Sequence, residues 1–481
     1  MDGNKMRALK FTLIGLLLLY GCVSVPDHEK ATTMTTMGMD QTQQQALQSN
    51  IFEKGMWPDP EWWDDFRDPV LTRLIETALK ESPTLKKAEE RLKAAMQVAK
   101  QKKSAFFPEI DLTGSNNWEH LPKEGFFRAF APTIPPVVND ITLGLSYSYE
   151  FDLWGKNRDL FRAAMGQAAA MAAERMQAEL ILTTSIAYTY MQLQLLLKKQ
   201  EVYRDLYRNT SGIEKIRAQR MQHALDGALE TLNSQFNTLD IQTMQAAIDQ
   251  EIAQKVHQLK ALAGQMQDAP LEVAYRKPPR SKFAIPKNLS LDLIARRPDL
   301  VAQKARVEAA ALEIGAAKTD FYPNISLTGM VGFETVFSSL FALKNYGGNL
   351  QPAIHLPIFT AGRIRAQLME KVALFNQAVH DYNDLILQTG QEVADRISDM
   401  ILLEKQRELR QQSWETTEAE VGVTEKRLRY ALDTKVQLLD AKNVSLESAL
   451  ALADIEFGQQ LQAVLLIRAL GGGYWGGDKH D

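Results

Sequence analysis

Alternation of apolar and polar residues predicts four β-strands, two in each half of the chain. From Ile325 to Phe333, every second residue is Ile, Leu, Gly, Val or Phe, and the residues between them are Ser, Thr, Met and Gly. A second run, Leu143 to Phe151, has the same period. A period of two residues is typical of strands with one apolar face. We therefore predict strands at about 107–118, 141–153, 323–334 and 349–358.

Apolar residues spaced three or four apart predict long helices after the strands. Ile364, Leu368, Val372 and Phe375 begin such a stripe. The segment from Asn157 to Met221 contains no proline, and a helix of this length would extend about 100 Å at about 1.5 Å per residue. Each long helix turns at an Ala-Leu-Asp sequence and is followed by a shorter helix. The apolar stripes predict antiparallel coiled-coil packing, not a cofactor site.

The order of elements occurs twice, which indicates an internal repeat. Phe106-Phe107-Pro108 recurs as Phe321-Tyr322-Pro323, 215 residues later. Arg220 with Ala224-Leu225-Asp226 recurs as Arg427 with Ala431-Leu432-Asp433, 207 residues later. The fold class predicted is therefore mainly α with additional β-strands in each of two repeats.

The predicted strands have the length and alternation of membrane-spanning β-strands. In lipid, a sheet with open edges would leave backbone groups without partners, so such strands must close into a barrel. Four strands are too few for a barrel formed by one chain. Either several copies close the barrel, or the strands form a small soluble subdomain packed on the helices.

The N-terminus has the pattern of a secretory signal. Lys5, Arg7 and Lys10 precede a short apolar run that ends in Gly21-Cys22, and this run is too short to span a membrane. It resembles the lipobox of bacterial lipoproteins, in which the cysteine is acylated and becomes the new N-terminus. We predict covalent lipid on Cys22, the only cysteine of the chain. Val23 follows it, and the resemblance then favours the outer membrane.

Composition excludes several other classes of protein. The formal net charge is -4, which gives no electrostatic basis for binding nucleic acid. A single cysteine rules out a disulfide framework or a thiolate metal cluster. No H-E-x-x-H, G-x-S-x-G or phosphate-loop motif is present, so the sequence contains no catalytic motif of these types and predicts neither an enzyme nor a cofactor other than the lipid.

Several motifs together resemble the TolC/OprM-type outer-membrane efflux lipoproteins, also described as NodT-like outer-membrane factors. The resemblance rests on the Cys22 lipobox, Arg296-Arg297-Pro298-Asp299-Leu300, Phe321-Tyr322-Pro323, Leu327-Thr328-Gly329 and Leu438-Leu439-Asp440-Ala441. It implies a homotrimer with a 12-stranded outer-membrane β-barrel that continues as a long α-helical barrel in the periplasm. The implied function is a passive export duct for drugs or other small molecules. A periplasmic adaptor and an inner-membrane pump of the RND type are the implied partners.

The resemblance divides the chain into six segments. They are a signal peptide (1–21), a lipidated tether (22–56), a first repeat (57–265), an equatorial linker (266–288), a second repeat (289–470) and a C-terminal tail (471–481).

The resemblance also places function at the two helical tips. The tips would close the periplasmic end of the duct and receive the adaptor. The implied gate residues are Asp226, Glu230, Asp433, Gln437, Asp440, Arg427 and Arg429. The implied adaptor contacts are Arg220, Ala224, Leu225, Ala431 and Leu432.

Some features of the tips leave alternatives open. Asp226 and Asp433 could instead be helix N-caps. The chain has Ala224 and Ala431 where the family commonly has glycine, which predicts that a left-handed residue has moved to a neighbour such as Gly227. Gln437 stands where the family often has an acid, so we expect one acidic ring fewer. The competing function is a lipid-anchored periplasmic coiled-coil adaptor or scaffold.

Overall fold

The computed structural model describes residues 25–279, 283–286, 289–336 and 340–474. The predicted signal peptide, Cys22 and the end of the C-terminal tail lie outside these residues. The chain divides into two compact units. The first contains residues 25–32, Lys93–Ala170 and Gln303–Asp381, and the second contains Thr33–Leu92, Met171–Ala302 and the chain from Tyr382 onward.

Most of the described chain is helical, and the helix lengths repeat. Three pairs of helices have equal lengths of 22, 67 and 35 residues: α3 with α8, α5 with α9, and α6 with α10. The described helices are α1 (Asp40–Gln48), α2 (Pro69–Glu81), α3 (Pro83–Ser104), α4 (Phe126–Phe130), α5 (Lys156–Gln222), α6 (Ala228–Leu262), α7 (Leu289–Arg296), α8 (Pro298–Thr319), α9 (Arg363–Arg429) and α10 (Lys435–Ala469). The described strands are β1 (Phe52–Gly55), β2 (Glu109–His120), β3 (Val137–Phe151), β4 (Phe283–Pro286), β5 (Asn324–Thr335) and β6 (Tyr346–His355).

The first unit contains an antiparallel sheet in the order β2-β3-β5-β6. Its register pairs Leu112 with Leu145, Leu145 with Val331 and Val331 with Gly348. The strand limits lie within about four residues of those predicted by the alternation. The largest difference is at β3, which begins at Val137 because its pairing with β2 continues as far as His120.

Pairing in this register gives the sheet one apolar and one polar face. The paired residues Leu112, Leu145 and Val331 share the apolar face. The four strands contain no Lys or Arg, and their carboxylates all lie on the polar face. These carboxylates are Glu109, Asp111, Glu119, Asp140, Glu150 and Glu334.

The main core of the second unit forms around a short 3-10 turn, Trp62–Phe66. Trp62 is 2% exposed and contacts Trp63 and Phe66 edge to face. Asp68 follows and caps α2, accepting a hydrogen bond from the Val70 N–H at 2.9 Å. Its second oxygen accepts one from the Tyr190 hydroxyl at 2.7 Å. Burial, with Asp68 adding to it, raises the pKa of Tyr190 far above its ordinary value. This bond joins α2 to α5.

The N-terminal segment differs from the predicted tether of 22–56. Residues from Asp40 onward form α1 and then β1, which pairs in parallel with β4. Met39, Ala46 and Phe52 are buried in a second core of this unit. The prediction was wrong for residues 40–56 because low apolar content indicated nothing to bury, whereas a few apolar side chains are enough to pack α1 and β1. Any free tether is therefore shorter than predicted.

A buried arginine joins the RRPDL motif to two other helices of the second unit. Arg297 is 8% exposed. Its guanidinium donates to Asp299 at 2.6 and 3.0 Å, to Glu392 of α9 at 2.8 Å and to the Ala469 carbonyl at 3.1 Å. That carbonyl group lies in the last turn of α10, where carbonyl groups have no hydrogen-bond partner within their own helix. Burial alone would raise the pKa of Glu392, but hydrogen bonds from Arg297 and Arg468 hold it below its ordinary value.

In the part of the chain that the structure describes, two helices, α5 and α10, contain apolar windows long enough to cross a membrane. In α5, 67% of the window is buried within the protein, and in α10 44% is buried. Core helices commonly contain such windows. We therefore interpret both as packing surfaces.

Arg297→Met should lower the free energy of unfolding by about 3–5 kcal/mol, because the partly buried Asp299 would lose its partner and Glu392 would keep only Arg468. The midpoint of thermal unfolding in detergent, followed by circular dichroism, measures this. Because the pKa of Glu392 is lowered in the fold, its contribution is present above the ordinary value of 4.5 and is lost as pH falls through the lowered value.

The control is Arg208→Met, which removes an exposed ion pair with Asp205. It should change the free energy by less than about 1 kcal/mol. Equal effects of the two substitutions would contradict the assigned role of Arg297.

Candidate functional site at the helical tips

Two helical hairpins turn within five residues at equivalent positions of the repeat. Residues 223–227 join α5 to α6, and residues 430–434 join α9 to α10. Both tips belong to the second unit. Leu225 and Leu432, which the sequence predicted as adaptor contacts, project into solvent and are 65% and 66% exposed.

Both outgoing helices end in the same backbone motif with alanine in the left-handed conformation. Ala224 has φ 58° and Ala431 has φ 56°. The Leu225 N–H donates to the Arg220 carbonyl at 2.8 Å, and the Leu432 N–H donates to the Arg427 carbonyl at 2.9 Å. This is a Schellman ending, which usually has glycine at this position.

The prediction that the left-handed residue had moved to Gly227 was wrong, since Gly227 has φ -79°. The backbone motif keeps its position despite the change of residue. The methyl group of alanine costs about 1–2 kcal/mol in this conformation.

The opposite ends of the returning helices have glycine at the same place in the motif. Gly264 follows α6 and Gly471 follows α10, with φ 71° and 91°. A Cβ atom on Gly471 would lie 2.0 Å from the Arg296 carbonyl oxygen, and one on Gly264 would lie 2.9 Å from that of Glu81. Glycine is therefore required where the ends pack on the chain, whereas the exposed tips accommodate a methyl group.

An arginine-aspartate fork closes each tip. Arg220 contacts both carboxylate oxygens of Asp226 at 2.9 Å. Arg427 contacts both oxygens of Asp433 at 2.7 and 3.0 Å. Hydrogen bonding from the arginine lowers the pKa of each aspartate. The side chains therefore remain charged and tie the end of one helix to the start of the next.

The N-cap alternative for Asp226 and Asp433 was wrong. The N-cap of α6 is Gly227 and that of α10 is Thr434. Thr434 forms a capping box with Gln437, whose side-chain oxygen accepts from the Thr434 N–H at 2.7 Å. The predicted gate residue Gln437 therefore uses its side chain to start α10.

Glu230 and Asp440 line one polar cavity of about 280 Å³ behind the first tip. Burial raises the pKa of Asp440, and the charge of Arg217 opposes this shift. The buried side-chain oxygen of Asn443 has no hydrogen-bond partner in the described part of the chain. The remaining lining residues are Thr210, Ile213, Asn233, Ser234 and Asn237.

Arg217 was not among the site residues predicted from the sequence. It has no cationic counterpart 207 residues later, where Thr424 stands, so the repeat could not point to it. Arg429, another predicted gate residue, is exposed and lies outside both forks. Among the described residues, no cluster of His, Cys, Asp and Glu could hold a metal ion.

The fold is that of solved outer-membrane channels. The outer membrane protein VceC of Vibrio cholerae matches with TM-score 0.77 and 29% identity, covering 87% of this chain and all of that one. The CmeC outer membrane channel of Campylobacter jejuni matches with TM-score 0.83 and 22% identity, covering 95% of both chains. The second similarity concerns the fold alone.

The chain belongs to the outer membrane efflux protein family, which it matches over residues 74–265 and 289–473. The multidrug resistance outer membrane protein MdtQ of Escherichia coli O6:H1 is 29% identical over 469 residues, 95% of this chain and 96% of the relative. MdtP of Shigella flexneri is 27% identical over 425 residues, 87% of both chains.

The protein is therefore an outer-membrane channel subunit of an efflux system, and the predicted family is confirmed. The family is one of channels rather than enzymes. The location in the outer membrane is confirmed as well. The periplasmic adaptor, the competing function left open by the sequence, is therefore wrong.

Ala431→Gly should slow amide hydrogen exchange in the second tip about fivefold, because glycine removes about 1 kcal/mol of strain from the left-handed position. Exchange followed by mass spectrometry on peptides covering residues 425–440 measures this. Ala441→Gly, the same substitution inside α10, should accelerate exchange by a similar factor. The same direction of change in both variants would contradict the strained turn.

Proposed function

We propose that three copies of this chain form one continuous export duct across the outer membrane and the periplasm. The main support is the four-stranded sheet, whose outer strands β2 and β6 each pair on one side only within the described chain. In lipid, the free edge groups require partners. The edge of β6 can pair antiparallel with β2 of another copy, and three copies would give 12 strands with no free edge.

Exposed apolar stripes in the second unit also support the trimer. The first stripe, on the first tip and α6, has the three- and four-residue spacing of a coiled-coil surface. The second stripe, on α9 and the first residue of the tip that follows it, has positions 7 or 14 residues apart. Two different stripes on one chain suit a head-to-tail contact that closes into a ring. The first consists of Leu225, Leu229, Leu232, Phe236 and Leu239, and the second of Leu402, Leu409, Val423 and Tyr430.

The tips are the proposed contact with a periplasmic adaptor, through which an inner-membrane pump of the RND type supplies the energy. The exposed Leu225 and Leu432 beside the two Arg-Asp forks support this assignment. The relatives are named for multidrug resistance, and on that basis we assign drugs or other small molecules as cargo. Covalent lipid on Cys22 would provide an additional anchor.

Asp440 is the proposed gate residue with the strongest support. It lies in the polar cavity near Glu230 and Arg217, and three copies of it would bring like charges together around a pore. Such rings of acid set the conductance and ion preference of a channel. Asp226 and Asp433 act differently, since each already neutralises an arginine of its own tip.

Phe236→Asp should convert the trimer to monomers in mild detergent, because it places a charge in the proposed contact. The mass of the purified protein in detergent, measured by light scattering, gives the result. Met266→Asp is the matched control: Met266 is exposed and apolar but lies outside both stripes, so this variant should stay trimeric. A wild-type protein that is monomeric, or equal behaviour of the two variants, would contradict the assembly.

Asp440→Ala should raise single-channel conductance in planar bilayers and reduce the preference for cations. Asp249→Ala removes an exposed carboxylate of α6 that bonds Gln200, and it should leave both quantities unchanged. Unchanged conductance and selectivity in the Asp440 variant would remove this residue from the gate.

A further inference from the structure

Cations recur in both repeats at the helix ends next to the membrane strands. α3 and α8 lead into β2 and β5, while α5 and α9 begin after β3 and β6. Each of these four ends carries Lys or Arg, although the strands themselves have none. All of these residues belong to the first unit. The repeat-related pairs are Lys103 with Lys318, Lys156 with Arg363, and Arg158 with Arg365.

The cations of α5 and α9 stand where a helix disfavours positive charge. Arg158 lies in the first turn of α5, and Arg363 and Arg365 lie in that of α9, which contains no acid. The first turn of a helix carries positive partial charge, so cations there are unfavourable. Lys103 and Lys318, in last turns, are accounted for by the helix dipole alone. Arg158, Arg363 and Arg365 need another reason.

The Asp152 carboxylate accepts hydrogen bonds from the backbone N–H groups of Asn157 and Arg158 at the start of α5, both at 3.0 Å, but it does not pair with a guanidinium group. Arg158, Arg363 and Arg365 are exposed. None of the three side chains forms an ion pair in the described part of the chain, where the Arg363 guanidinium group donates only to the neutral side chain of Gln367, at 3.1 Å. By contrast, Lys156 pairs with Asp320 at 2.7 Å. Three guanidinium groups at this level are therefore available to an external anion.

Exposed apolar and aromatic side chains lie at the same level of the first unit. Phe107 is 64% exposed, and Ile358 and Phe359 follow β6 with most of their surface free. Trp154 stacks on Tyr322 and donates its ring N–H to the Pro323 carbonyl at 2.7 Å. Aromatic rings with one polar bond mark the boundary between hydrocarbon and headgroups. The free guanidinium groups thus lie next to a membrane boundary.

We infer that Arg158, Arg363 and Arg365 form a collar that binds anionic phospholipid headgroups in the periplasmic leaflet of the outer membrane. The guanidinium group binds phosphate in a bidentate manner, and anionic headgroups attract basic residues close to the membrane surface. The collar would fix the depth of the sheet in the membrane independently of Cys22. This inference rests on the proposed trimeric membrane assembly.

The test compares spin-labelled phosphatidylglycerol with spin-labelled phosphatidylcholine around the full trimer in phosphatidylcholine vesicles. Electron paramagnetic resonance gives the ratio of their association constants at the protein surface. We expect a preference for phosphatidylglycerol on the order of threefold at low salt. It should fall towards one at 1 M salt, and also in the double variant Arg158→Gln/Arg365→Gln.

The control Lys123→Gln/Lys344→Gln removes two exposed cations from the loops at the other end of the strands, and it should keep the preference for phosphatidylglycerol.

Trimer mass and conductance are measured on every sample first. A wild-type trimer that inserts and conducts but shows a ratio of one overturns the collar alone. Failure of the wild type to assemble or insert overturns the proposed duct as well. If the arginine double variant loses its trimer while any lipid preference persists, the arginines pair with carboxylates of another copy, and the collar is again overturned.

Discussion

The whole architecture depends on one requirement, that backbone hydrogen-bonding groups in lipid must be paired. The sheet β2-β3-β5-β6 satisfies it for its inner strands but leaves the outer sides of β2 and β6 open within the described chain. A closed structure is then possible only if other copies supply the missing edges. The internal repeat follows the same logic, because each half contributes one antiparallel pair and an even number of strands keeps the closing contact antiparallel.

The helical hairpins are stabilised differently at their two ends. Where α6 and α10 end, Gly264 and Gly471 permit a close approach of backbones, and the buried Arg297 satisfies the last carbonyl of α10. At the tips, alanine occupies a strained position and exposed Arg-Asp forks hold the turn. Exposed ion pairs contribute little free energy. Local opening therefore costs less at the tips, which suits the periplasmic gate that we propose there.

Periodicity was enough to predict the strands, the long helices and the repeat, because each is dictated by which side chains must be buried. Contacts between side chains at the tips were harder to predict from the sequence. Asp226 is an ordinary N-cap candidate in sequence, and only the turn brings it to Arg220. Arg217 has no cationic counterpart in the second repeat, and it lines the same cavity as Asp440 only when α5 and α10 pack. The prediction for residues 40–56 was wrong for a related reason, since composition cannot show that a few apolar residues pack into a core.

The near-zero net charge conceals a strong separation of charge along the chain. The six carboxylates of the four strands share one face of the sheet and have no Lys or Arg among them on those strands. If the apolar face meets lipid, all of this negative charge faces the interior of the duct, where water solvates it. The cations instead cluster at the helix ends next to the strands, at the level where we propose that lipid headgroups begin. A net charge summed over 481 residues shows neither the acidic face of the sheet nor the cations at the helix ends. The strand register is needed to see how these charges are separated.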